Sequence, residues 1–112
     1  MLSAKHRLRH EKDIKALFAE GKGVFDAVCG LKYRKNGLSD SRFAVVVGTK
    51  VSKSAVDRNK VRRRIRSVLE ARMDAIKPGY DVAFLVRPGA IKKDFKAIET
   101  AVVSSLTRAK LL

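Results

Sequence analysis

The sequence predicts an α+β sandwich, one sheet with helices packed on it. Three observations point there. Segments of helical and strand-like periodicity follow one another as helix, two or three strands, long helix, strand, helix. The 112 residues are 46 % apolar, enough to build a core in a single small domain spanning 1–112. The two prolines, Pro78 and Pro88, stand beside Gly79 and Gly89 and mark turns, with no linker, repeat or low-complexity tract.

Each element has its own reason. Glu11 to Glu20 carries Ile14, Leu17 and Phe18 at helical spacing and meets Gly21 as a stop. Val24 to Arg34 reads as a strand-like run holding Val24, Val28, Leu31 and Tyr33. Lys35-Asn36-Gly37 is turn chemistry and opens the connection to the next run, Arg42 to Thr49. The unbroken apolar stretch from Phe43 to Val47 predicts a central strand. Ser54 caps a long helix, and Asp57 stands three residues on, where a carboxylate reaches back. Val61, Ile65, Val68, Leu69 and Ile76 place that helix on the core and extend it to about Ile76. Tyr80 to Arg87 is the third main strand. Asp94 opens a last helix with Phe95, Ile98, Val102 and Leu106 on its core face. The long helix joins strands that can lie parallel, and the general expectation for such a crossover is right-handed.

The charge balance narrows the function. Lys and Arg number 26 against 11 Asp and Glu, a net charge of +15. Such a surplus argues against a small-molecule enzyme and for a polyanionic partner, nucleic acid or an anionic membrane. No apolar run approaches the roughly 18 residues that span a bilayer. The basic N-terminus lacks the apolar segment of a secretory signal. One cysteine, Cys29, cannot staple the fold, which fits a reducing cytoplasm, and its strand-like setting reads as a small core hydrophobe.

The informative segment runs from Lys50 to Arg66, with eight cations against Asp57 alone. A solvated helix face would interleave acids at i, i+4 to offset repulsion. Around the helix, Asn59, Arg62 and Arg66 fall on one flank and Lys60 and Arg64 on the other. Arg63 points away from the core. An array of phosphates compensates such stacked charges, and arginine forks suit phosphate and base contacts. The helix lacks a spare bulky apolar face for lipid. Arg58 falls nearer the core face, which would place its head and Asn59 at the mouth of a groove between the first helix and the sheet. Phe18 is either a stacking ring for an unpaired base or plain core packing, the two readings weighing equally.

Catalytic chemistry is poorly represented. The acids are scattered, and no nucleophile set, P-loop or dinucleotide fingerprint occurs. His6 and His10 are four apart but have only Glu11 nearby, so they read as solvated residues of a basic arm rather than metal ligands.

The run Ser54-Ala55-Val56-Asp57-Arg58-Asn59-Lys60-Val61-Arg62-Arg63-Arg64-Ile65-Arg66 resembles the signature helix of the bacterial ribonuclease P protein subunit. Lys50, the opening Arg7-Leu8-Arg9 with Asp13 and Phe18, and Arg87-Pro88-Gly89 fit the same family, over nearly the whole chain. The resemblance implies a ribosomal-protein-like fold of about four mixed strands and three helices, with a left-handed crossover against the general rule. It implies a partner RNA that cuts the 5′ leader from precursor tRNA with magnesium ions held mainly by that RNA. No catalytic residue and no tightly bound metal are then expected on this chain, nor a membrane or an obligate protein partner. Carried onto matching positions, Arg58, Asn59, Lys60, Arg62, Arg63 and Arg66 meet the catalytic RNA, and Ile14, Phe18, Lys32, Tyr33, Lys50 and Arg87 line the leader cleft. Three departures stand out. Lys60 replaces an arginine, Ile14 an aromatic, and Ser52-Lys53-Ser54 the usual Ile/Val-Gly-Asn. Lys32 and Tyr33 compete for one cleft position. The alternatives are a ribosomal or other structural RNA-binding protein of the same fold class, a protein-only nuclease needing metal-binding acids, and a DNA-binding protein.

Overall fold

The computed structural model describes residues 2–112. Three helices, α1 (Glu11–Glu20), α2 (Ala55–Ala71) and α3 (Phe95–Arg108), accompany four strands, β1 (Lys22–Phe25), β2 (Cys29–Lys35), β3 (Arg42–Val46) and β4 (Tyr80–Val86). The sheet order is β1-β2-β4-β3. The pair β3 and β4 is parallel and joined by α2, and the other pairs are antiparallel.

Side-chain size sorts the two faces of the sheet. Leu31, Phe43, Val45, Val82, Phe84 and Val86 point to one face and form the main core with Val61 and Ile65 of α2 and Ile98, Val102 and Leu106 of α3. On the other face the central positions Gly30, Ala83 and Ala44 are small. Ala44 and Ala83 meet Leu8 of the N-terminal segment and Ile14, Leu17 and Phe18 of α1. The sheet with α2 and α3 is thus the sandwich expected, and α1 adds partial cover on the opposite face. Replacing the fully buried Phe84 by alanine removes the largest of these side chains and costs about 3–5 kcal/mol.

Five details differ from the sequence reading, each for a physical reason. The run from Val24 to Arg34 is two strands, because Asp26 Oδ1 accepts from Val28 N (2.8 Å) and Cys29 N (2.9 Å) and closes a hairpin turn. The apolar strand β3 is an edge, and β4 lies between it and β2. Its apolarity is satisfied from the side: Leu8 N donates to Phe43 O (2.9 Å), so the N-terminal segment covers the edge. Helix α2 ends at Ala71 rather than Ile76, and turn bonds, including Ile76 N to Arg72 O (3.2 Å), still carry Ile76 into the core. Phe95 is 42 % exposed rather than on the core face of α3. Gly21 stops α1 in extended backbone (φ −73°), not the left-handed region; a Cβ there would lie 2.5 Å from Leu17 O. Two turns with positive φ use glycine, Gly37 (72°) and Gly79 (86°), while Lys110 (62°) takes that conformation just after α3.

Candidate nucleic-acid interface

Helix α2 starts as its sequence demands. Ser54 Oγ accepts from Asp57 N (3.3 Å), while Ser54 N donates to Ser52 Oγ (3.1 Å). Asp57 remains in the first turn, where its charge suits the helix dipole. The core face holds Val61, Ile65, Val68 and Leu69 buried, which fixes where the cations go.

Asn59, Arg62, Arg63 and Arg66 line one shallow depression of about 390 Å³ on the outer side of α2, together with the exposed Val56. Arg62 Nη1 donates to Asn59 Oδ1 (2.6 Å), so the asparagine orients one fork of the arginine. Lys60 and Arg63 stand exposed. Among the described residues, no carboxylate lies within ion-pairing distance of Lys60, Arg62, Arg63 or Arg66. Burial makes the Arg66 guanidinium less basic than usual, and Arg62 and Arg7 push the same way. Arg58 turns back instead of reaching over the sheet: its Nη1 donates to Ser52 O (2.8 Å) and braces the loop before the helix. Arg64 donates to Lys93 O (2.9 Å) and ties α2 to the approach of α3.

Arg66 also belongs to a second depression, a groove of about 230 Å³. Leu2, Arg7, Leu8, Arg9 and Ile14 form one wall, and β3 from Phe43 to Val46 forms the floor. The groove opens onto the small-residue face of the sheet. Lys32 projects on that face opposite Ala83, with its Nζ 3.5 Å from Gly21 O. Phe18 is half-buried there, packed against the small cluster of Leu8, Leu17 and Ala83. Lys50 and Arg87 are both exposed just beyond the C-terminal ends of the parallel strands β3 and β4, at one end of the sheet. Strand alternation sends Tyr33 to the other face, where its ring lies 6.4 Å from that of Tyr80. Lys32 therefore faces the trough, and Tyr33 faces away from it toward the main core. His6 is no solvated arm residue: its Nδ1 lies 2.8 Å from Ser41 O and fastens the N-terminal segment.

Arg9, Ala44 and Val46 line the groove without having been singled out for that role from the sequence. The signal for Ala44 is alternation in size along the strands. Gly30, Ala83 and Ala44 occupy one face, while the neighbouring Leu31, Phe84 and Val45 occupy the other. Small side chains leave a trough between α1 and the rim of the sheet.

Beside α1, an ion pair joins the starts of β3 and β4. Arg42 makes two contacts to the buried Asp81 (2.8 and 2.7 Å), and Asp81 also accepts from Asn36 Nδ2 (3.0 Å). The bond to Asp81 holds the Arg42 proton more tightly than usual, and Asp13 of α1 approaches the same guanidinium at 3.7 Å. Among the described residues, no three or more His, Cys, Asp or Glu side chains gather where they could hold a metal ion. No helix of the described chain is long and apolar enough to cross a membrane.

The family model for ribonuclease P matches residues 2–110. This chain belongs to the ribonuclease P protein family. A ribonuclease P protein component from Clostridium botulinum (strain 657 / Type Ba4) is 34 % identical, covering 93 % of this chain and 94 % of that one. One from Microcystis aeruginosa is 31 % identical, over 96 % and 92 %. Among solved structures, the RNase P protein from Thermotoga maritima bound to 1-(4-fluorophenyl)-2-thiourea superposes with a TM-score of 0.85 at 30 % identity, covering 91 % of this chain and 98 % of that one. The Staphylococcus aureus RNase P protein shares the fold, with a TM-score of 0.88 at 22 % identity over 95 % and 96 %.

Proposed function

We propose that this chain is the protein subunit of a cytoplasmic ribonuclease P ribonucleoprotein. In this reading it binds the catalytic RNA through α2 and the single-stranded 5′ leader of precursor tRNA in the groove, promoting endonucleolytic 5′ maturation. The observation that carries it is Arg66. It stands at once in the cationic face of α2 and in the groove under α1, so one positive surface runs from the helix to the trough. Two RNAs held side by side repel through their phosphates, and a shared cationic surface relieves that repulsion through counterion release. The trough is shallow and floored by alanine and valine, which suits splayed bases rather than a duplex groove.

Magnesium ions held mainly by the RNA supply the hydrolytic chemistry. The chain's own residues bind and align. Lys60, Arg62, Arg63 and Arg66 neutralise phosphates of the catalytic RNA, and Asn59 positions Arg62. Arg58 keeps the loop from Ser52 in place beneath them. Ile14, Phe18 and Lys32 contact the leader, and Lys50 and Arg87 guard the end of the trough.

Salt titration of RNA binding tests this surface. Each of Lys60→Gln, Arg62→Gln and Arg63→Gln is expected to lower the steepness of log K against log salt by somewhat under one unit. Unchanged slopes in all three contradict the assignment. The absence of a protein-borne base predicts that no single Asp or Glu substitution abolishes cleavage while folding and RNA binding persist, as single-turnover assays of the assembled enzyme will read.

A further inference from the structure

Phe25 has a seat of its own on the β1 edge. Its cross-strand partner is Gly30, and Gly23 is two residues back on the same face. A Cβ built on Gly30 would lie 2.4 Å from Phe25 Cδ1, and one on Gly23 would lie 2.7 Å from Phe25 Cε2. The two sides of the ring thus rest on two bare stretches of backbone. Neither glycine has the positive φ that would demand glycine for conformational reasons. Their missing side chains serve the ring.

The ring is nevertheless 49 % exposed. Covering glycine backbone is a structural use of an aromatic ring, and it accounts for the seated side. It does not account for the surroundings of the open side. Phe25 shares the face of the trough, in the row Phe25, Gly30, Leu85, Val46 across the four strands. Lys32 is the cross-strand partner of Gly23, with its Cδ 3.6 Å from the point where a Cβ of Gly23 would stand. Arg108 Nη1 donates to Phe25 O (3.3 Å) at the outer rim. An exposed ring beside the Lys32 side chain, on the trough face of the sheet, is an arrangement that takes an unpaired nucleotide: base on the ring, phosphate on the cation.

We propose that Phe25, seated on Gly23 and Gly30, is a stacking platform for one unpaired base of the leader, at the β1 edge of the trough face. This rests on the leader-binding reading above and adds a residue to it. The position lies three strands from the β3 edge, about 14 Å at ordinary strand spacing, so the base it takes is a different one from that beside Ile14.

The test uses enzyme assembled from this chain, a bacterial ribonuclease P RNA and precursor tRNAs carrying 2-aminopurine at successive leader positions. For Phe25→Ala the expected result is about 5-fold or greater loss of affinity for a long-leader substrate. Quenching is lost at one leader position, and affinity for a substrate trimmed to a single leader nucleotide is unchanged. Phe25→Trp restores both signals. Gly30→Ala, which keeps the phenylalanine but drives the ring from its seat, is expected to resemble Phe25→Ala, with thermal unfolding confirming the fold. If the wild-type enzyme favours long leaders but Phe25→Ala changes neither affinity nor any quenching signal, the platform is overturned and the leader reading survives. If the wild-type enzyme shows no leader preference, both fall.

Discussion

At the scale of single residues, two buried groups make sharp predictions. Asp81 is 2 % exposed and serves Arg42 and Asn36 together. Asp81→Ala strands the Arg42 guanidinium, left with Asp13 at 3.7 Å, and is expected to cost about 2–3 kcal/mol in urea unfolding. Cys29 is fully buried, and burial, aided by nearby Asp26 and opposed by the Ser105 hydroxyl, pushes its thiol up to about 11 from 9.0. Between those values the unfolded chain loses the thiol proton and the folded chain keeps it, so the folded state binds more protons. The contribution is fully present below pH 9 and fades as pH rises through about 11, a loss of about 3 kcal/mol. Cys29→Ala is expected to flatten that part of the stability profile; an unchanged slope refutes the assignment to Cys29. Residue identities alone showed Cys29 as a core residue. They did not show the partners of Arg58 or His6, because both are held by backbone carbonyls of loops, Ser52 O and Ser41 O, whose positions only the folded chain sets.

At the scale of elements, the helices were legible and the strand neighbours were not. Periodicity and caps place α1, α2 and α3, since helical bonds and caps are local. Asp94 Oδ1 accepts from Ala97 N (2.9 Å) as its position demands. Ser54→Ala is expected to cost about 0.5–1 kcal/mol in thermal unfolding, given the exposed and rather long 3.3 Å cap bond. Strand order depends on partners distant in sequence. Apolarity made β3 look central because Leu2 and Leu8, far upstream, supply the cover that a flanking strand would give. Which of Lys32 and Tyr33 faces the trough needed only the phase of β2, which the turn at Asp26 fixes. The cationic face of α2 carries a trade between stability and binding. Arg66 is held in the positive field of Arg62 and Arg7. Arg66→Gln is expected to leave the thermal stability of the isolated protein unchanged or raised at low salt while weakening RNA binding; parallel loss of both would make Arg66 a packing residue instead.

At the scale of the whole molecule, the net charge of +15 points to a polyanionic partner. The fold adds direction. Large side chains turn toward α2 and α3, small ones toward the trough, and the cations of α2 meet the trough at Arg66. The trough itself was hidden in the sequence, because its wall comes from the N-terminal segment and α1 and its floor from β3, elements far apart in the chain. In the proposed function this surface serves two RNAs in one cleavage reaction. The most direct test mixes the purified chain with a bacterial ribonuclease P RNA and a precursor tRNA at low magnesium, and follows release of the 5′ leader. The account predicts that the RNA is inactive alone under these conditions and that adding the chain restores cleavage at the correct bond. Tight binding of the chain to the RNA with no restored cleavage contradicts it and makes the protein a structural RNA binder of the same fold.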